Sequence, residues 1–266
     1  METRTQHALS GETAALAANI ENRRQAIAEA FLEKRMSGLA AARSLSDLAD
    51  GLLASLMTLA EKTLRQPRRK AKGGGFCLVA TGGYGRRQLA FHSDLDVMVL
   101  TEAPASKRVK ATAAFVFGRL WDMGFKVGHS LRTPKAAARL AKKDLSVKTA
   151  LLDARFLAGG EKLFKTFQKL YRKEVMAKGA KTFVEERLAE RDRRHRKMGD
   201  SRYLVEPNVK ESKGGLRDLH NLAWIARFLY GVGDLKGLAR EKILRPDEVR
   251  AFERAEAFLW DVRQHL

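Results

Sequence analysis

The 266-residue chain carries 51 Lys and Arg against 31 Asp and Glu, a formal net charge of +20 that favours acidic or polyanionic partners without choosing among nucleic acid, nucleotide and protein. With 45% hydrophobic residues the chain can bury an ordinary core. No apolar run approaches the ~20 residues of a membrane span, and Met1–His7 lacks the apolar stretch of a secretory signal, so a globular, cytoplasmic protein without membrane contact is expected.

Residues Ala8 to about Arg35 and Ser44 to Arg65 read as helices, the second with Leu45, Leu48, Leu52, Leu56 and Leu59 at three- or four-residue intervals after a Ser44 cap. Gln66–Gly75 combines a proline, three glycines and a basic cluster without periodicity, which marks a linker. Phe76–Ala80 is short, apolar and suited to a buried strand; its lone Cys77 cannot form an internal disulfide and reads as an inert core thiol. The strand ends where Gly82-Gly83-Tyr84-Gly85-Arg86 begins, a glycine turn of phosphate size.

A second strand opens at Ser93-Asp94-Leu95-Asp96 and runs on through Val97–Leu100. Alternation along a strand puts Asp94 and Asp96 on one face and Leu95, Val97 and Val99 on the other, so one charged face and one core face are expected. Two neighbouring carboxylates repel unless a cation sits between them, and Mg²⁺ accepts such hard oxygens while taking its other ligands from water and phosphate. An Asp-X-Asp alone is a weak signal; behind a strand and a glycine turn it reads as a nucleotidyl-transfer site with catalytic, metal-binding Asp94 and Asp96.

A helix follows from about Ala105 to Met123, then a strand near Lys126 to Arg132; everything beyond Pro134 looks helical. His129 reads as a structural, hydrogen-bonded histidine, and Arg132 as a residue facing substrate. The run Arg191–Lys197 is either a solvated helix face or a phosphate or partner contact. Pro207 and Gly214-Gly215 interrupt the helical stretch, and Leu216, Leu219, Ala223 and Ala226 resume it, so the glycines open a helix. Two readings stay open there: Lys210, Gly214, Gly215 and Arg217 grip a phosphate at the helix's amino end, or the segment is a cap with Arg217 paired to an acid. Glu248–Leu266 is in helical register and stops without a terminating residue, as in a fragment.

The expected fold class is α+β: a small mixed sheet flanked by helices, with a mostly helical C-terminal part. Residues 1–72 form a helical lead-in and basic linker, 73–157 the nucleotidyltransferase core and 158–266 a helical domain cut at its C-terminal end.

Gly82–Arg86 followed by Ser93–Asp96 resembles the nucleotidyltransferase domain of the bacterial PII uridylyltransferases, of the polymerase-β-like superfamily. Glu206-Pro207-Asn208-Val209-Lys210 and Gly214-Gly215-Leu216-Arg217-Asp218 resemble a second signature of that family, and Val127–Thr133 and Ala150–Arg155 are similar to segments between the two. The likeness runs from about residue 75 to the end. Arg87, Gln88 and Phe91-His92 depart from the family pattern, and the third carboxylate that such enzymes often supply is absent from Phe125–Thr133, leaving Asp122 and Asp153 as candidates.

The resemblance implies transfer of UMP from UTP to a tyrosine hydroxyl of the nitrogen-signalling PII protein, with release of pyrophosphate and dependence on Mg²⁺, for which Mn²⁺ can substitute. It implies nucleotide contacts at Gly82, Gly83, Tyr84, Gly85, Arg86, Ser93 and Arg132, and phosphate contacts at Lys210, Gly214, Gly215, Arg217 and Asp218. Full-length relatives of this kind continue into a His-Asp-type hydrolase domain and ligand-sensing domains; this sequence has no His-Asp dipeptide. The rival readings are a nucleotidyltransferase for RNA or another protein, and a truncated anion-binding module without turnover.

Overall fold

The computed structural model describes residues 2–64, 75–200, 206, 208–232 and 235–266. Nearly all of the expected linker, and Pro207 of the second signature, lie outside the described residues. The elements are α1 (Glu2–Leu32), α2 (Gly38–Thr63), β1 (Phe76–Ala80), the single turn α3 (Gly82–Gly85), β2 (Leu95–Thr101), α4 (Lys107–Asp122), β3 (Val127–Arg132), α5 (Pro134–Lys143), α6 (Leu145–Leu152) and β4 (Arg155–Gly159). After them come α7 (Glu161–Tyr171), a π-helical turn (Arg172–Met176), α8 (Ala180–Lys197), α9 (Leu216–Tyr230), α10 (Leu235–Arg240) and α11 (Pro246–His265). This is the expected α+β architecture. Among the described residues no helix is long and apolar enough to cross a membrane.

The four strands lie in the order β3-β2-β1-β4, with β1 antiparallel to both β2 and β4, and β2 parallel to β3. On one face Leu78, Ala80, Leu95, Val97 and Val99 pack with α2 and α4, where Leu52, Leu53 and Leu56 are fully buried. Each such side chain contributes roughly 1.5–3 kcal/mol by leaving water. On the other face Cys77, Val79, Met98 and Leu100 pack with α5, α7 and α9. Burial pushes the Cys77 thiol up to about 12, in keeping with an inert core residue.

Three expectations need correction. The helix read from Ser44 begins nearly two turns earlier, with Ser37 as the cap whose hydroxyl accepts from the Ala40 amide; the leucine stripe is as expected, but apolar Leu39, Ala41 and Ala42 extend it backwards. The stretch beyond Pro134 is not all helical, because Arg155–Gly159 adds edge strand β4; five residues without a β-branched side chain give no strand signal. The second strand does not have one charged face, since Met98 and Leu100 follow Asp96 on the same side and are buried. Helices cover both faces of the sheet, and Asp96 is open only because it sits at the strand's first turn of pleat, beyond that cover.

Candidate active site

β1 delivers the chain directly into the glycine turn. Gly82 has φ +56°, and a Cβ there would stand 3.3 Å from the Asp96 Oδ2, so the turn and the acid share one small space. A Cβ on Gly85 would lie 2.2 Å from the Asp153 carbonyl oxygen, which only a glycine permits. The Thr81 amide donates to the Asp96 carbonyl at 2.9 Å, tying the turn to β2. Tyr84 is buried beneath: its hydroxyl donates to Asp50 at 2.7 Å, and Arg155 holds the same carboxylate at 2.6 and 3.1 Å. Burial first, and Asp50 second, raise the Tyr84 pKa far above a free phenol's.

Asp94 stands just before β2 and Asp96 is its second residue. The parallel register sets Asp96 against Gly128 of β3, where a Cβ would be 2.6 Å from the Asp96 Oδ1. Burial, then the Asp94 charge, raise the Asp96 pKa, while Lys210 across the cleft opposes them. Ser93 builds the approach, its hydroxyl accepting from the Ala90 amide at 2.9 Å. A carboxylate made costly by a second one beside it suits a small divalent cation that completes its shell with water and phosphate oxygens. Among the described residues no group of three His, Cys, Asp or Glu side chains is placed to hold a metal ion.

The acids line a cavity of about 1170 Å³ between the end of the sheet and the helices α9 and α11. Its facing wall carries Lys210, Arg217, His220 and Arg263. Arg86 lies between the walls: it donates to Asp153 at 2.5 Å and to Gln88 at 2.8 Å, and its remaining edge is 3.5 Å from the His220 Nδ1. Asp153, 4% exposed, also accepts from Trp224 Nε1 at 2.7 Å and from Arg227 at 2.9 Å. It is thus an internal anchor for α9. Asp122 pairs with Arg119 at 3.0 Å at the end of α4, outside the cavity lining. Neither candidate stands beside Asp94 and Asp96 as a third carboxylate.

The second signature forms a turn whose amides are already spent. Those of Gly215, Leu216, Arg217 and Asp218 donate to the carbonyls of Ser212, Val209, Lys210 and Gly215, each at 2.9 Å. The Gly214 amide donates to the Asp218 carboxylate at 2.8 Å, and Arg217 pairs with Glu211 at 3.0 Å. Of the two readings, the cap with a paired Arg217 describes the backbone, and the open anion seat on these amides does not. Asp218 turns toward α8, accepting from Arg194 at 2.5 Å and His195 at 3.0 Å. Burial works against its charge, but these partners win and lower its pKa.

Of the expected site residues, Gly82, Gly83, Arg86, Ser93, Asp94, Asp96, Lys210 and Arg217 line one cavity. Tyr84 and Gly85 support it from below, Gly214, Gly215 and Asp218 lie outside its lining, and Arg132 sits at the far end of β3, paired in register with Leu100 rather than Asp96. The five residue steps from Val127 to Arg132 span roughly 16 Å along a strand. His129 packs against the rings of Phe117 and Trp121, with centroids at 4.8 and 5.6 Å. Gly128, His220 and Arg263 were not singled out from sequence, for each gains meaning only through a neighbour distant in the chain.

Comparison with known proteins gives three findings. Residues 182–266 match the family described as GlnD PII-uridylyltransferase. Residues 22–131 match the nucleotidyltransferase family DUF294. A bifunctional uridylyltransferase/uridylyl-removing enzyme from Azospirillum brasilense is 43% identical over 237 residues, covering 89% of this chain and 25% of the relative. The chain therefore spans about a quarter of the length of the curated relative it matches.

Proposed function

We propose that this chain, similar over 89% of its length to a bifunctional uridylyltransferase/uridylyl-removing enzyme, transfers UMP from UTP to a tyrosine hydroxyl of a PII signalling protein in the cytoplasm. The observation that carries the reading is the convergence of Gly82, Asp94 and Asp96 at the mouth of a cavity whose other wall is cationic. In the reaction the tyrosine oxygen bonds to the α-phosphorus while the bond from that phosphorus to the bridging oxygen of pyrophosphate breaks.

Asp94 and Asp96 would hold Mg²⁺ or Mn²⁺, which supplies charge neutralisation at the phosphates and eases loss of the hydroxyl proton. The glycine turn lets the triphosphate approach the backbone, and Ser93 sets the loop that presents the acids. Lys210 and Arg217 bring positive charge from the opposite wall. Arg86 acts mainly as a strut, because Asp153 and Gln88 already engage it. Arg132, outside the cavity lining, is assigned no part.

The test is label transfer from α-labelled UTP, ATP and CTP, supplied separately with PII and with tRNA. Transfer from UTP to PII alone, lost on Asp96→Asn in a protein that still folds, is the expected result. Full activity of that variant, or labelling of tRNA in place of PII, overturns the proposal.

A further inference from the structure

The helical wall contains more positive charge than its own acids balance. Asp153 is shared by Arg86 and Arg227, and Glu211 is shared by Arg217 at 3.0 Å, Arg194 at 3.7 Å and Lys210 at 3.9 Å. Arg263, from the last turn of α11, makes no ion pair among the described residues and only stacks on Trp260, 5.1 Å from the ring centroid. The strain is mutual: after burial, Arg217 and Arg263 lower the Lys210 pKa, and Arg86 and Arg217 lower that of Arg263. Like charges held together in a half-buried wall call for an anion from outside.

His220 adds a directional sign. It is 4% exposed, lines the cavity, and its Nε2 has no hydrogen-bond partner. Its Nδ1 faces the Arg86 guanidinium, which can only donate, so the ring proton belongs on Nε2. Burial, then Arg86, Arg217, Arg263 and Lys210, discourage a second proton. The ring therefore carries a neutral, unsatisfied N–H beside a cluster of cations, a group that stays buried at a cost unless an acceptor reaches it.

We propose that Lys210, Arg217, Arg263 and the His220 Nε2–H form the seat of the diphosphate group that leaves in the transfer reaction. This inference rests on the nucleotidyl-transfer reading and adds two binding residues to it, His220 and Arg263. A diphosphate, with charged oxygens spread over two phosphorus atoms, matches donors supplied from two helices and the loop before one of them; a monophosphate engages fewer of them at once.

Isothermal titration of the 266-residue protein with inorganic pyrophosphate, without metal, tests the seat directly, with inorganic phosphate as comparison. Pyrophosphate is expected to bind at least tenfold more tightly than phosphate. Arg263→Met and His220→Phe should each weaken pyrophosphate at least tenfold, and His220→Gln, which keeps an N–H donor, should recover part of the loss. Because His220 is buried, circular dichroism and melting are recorded for each variant; if His220→Phe does not fold, Arg263→Met alone decides. Unaltered pyrophosphate affinity in a folded Arg263→Met, or equal affinity for phosphate and pyrophosphate in the parent protein, overturns the proposal. UMP transfer by the parent and by Asp96→Asn is measured alongside. Pyrophosphate binding that depends on Arg263, without any transfer, retires the proposed function and leaves an anion site; transfer with unaltered binding in Arg263→Met retires only the seat.

Discussion

The two walls of the cavity are built on different principles. The sheet wall takes Gly82, Gly83, Asp94 and Asp96 from fifteen consecutive residues and fixes them through one turn and one strand register. The helical wall gathers Lys210, Arg217, His220 and Arg263 from two helices and a loop, and holds them through Asp153, Glu211 and Trp224. Geometry is local in the first and tertiary in the second. Changes in the sheet wall should therefore strike the chemistry, and changes in the helical wall the stability as well.

The sharpest break is Asp96→Asn: if the proposed metal role holds, loss of that charge is expected to lower UMP transfer by about a thousandfold or more, from several kcal/mol of lost transition-state stabilisation, with an unchanged melting curve. Asp153→Ala should do the reverse in kind. It leaves Arg86 and Arg227 facing an emptied buried site and should cost about 3–5 kcal/mol in urea unfolding. If it unfolds no more easily than the parent, the helical wall is not held as described.

Gly128→Ala sharpens the comparison, since it alters no charge. Its Cβ would press on the Asp96 carboxylate, so transfer should fall by about 10²-fold through misplacement, while β3, an edge strand, remains paired. Tyr84→Phe is milder: deleting the hydroxyl bonded to Asp50 should cost about 1 kcal/mol in the same unfolding assay. The smallest effect is acid sensitivity through Asp218. Its folded pKa lies below the ordinary aspartate value of about 3.9, so its contribution is complete above that value and fades as pH falls through the folded one. Asp218→Asn should flatten the stability profile below about pH 4 and leave the neutral region merely lowered.

The same division explains what could be read without coordinates. Phe76–Ala80, the glycine turn and Asp94–Leu100 announce themselves, because strand alternation and glycine's freedom act over a few residues. The leucine stripe of α2 is legible for the same reason. β4 is not, because Arg155–Gly159 becomes a strand only by pairing with β1, more than seventy residues earlier. Asp153 looked like a spare carboxylate; its three donors come from Arg86, Trp224 and Arg227, and no spacing rule links them. The Gly214-Gly215 turn was recognisable as a helix start, whereas the fate of its amides depended on where Val209 and Lys210 folded back.

One helix touches both walls. Near its start, Gly38 of α2 donates its amide to Asp261 at 2.5 Å and gives its carbonyl to Gln264 at 3.2 Å, clasping α11 on either side of Arg263. Three turns on, Asp50 grips Tyr84 and Arg155 beneath the glycine turn. The roughly 18 Å of helix between those clasps acts as a gauge block for the width of the cavity. Inserting one residue within it would swing the two clasps about 100° out of phase, so the distance between donor and acceptor chemistry is written in a residue count rather than in any contact across the opening.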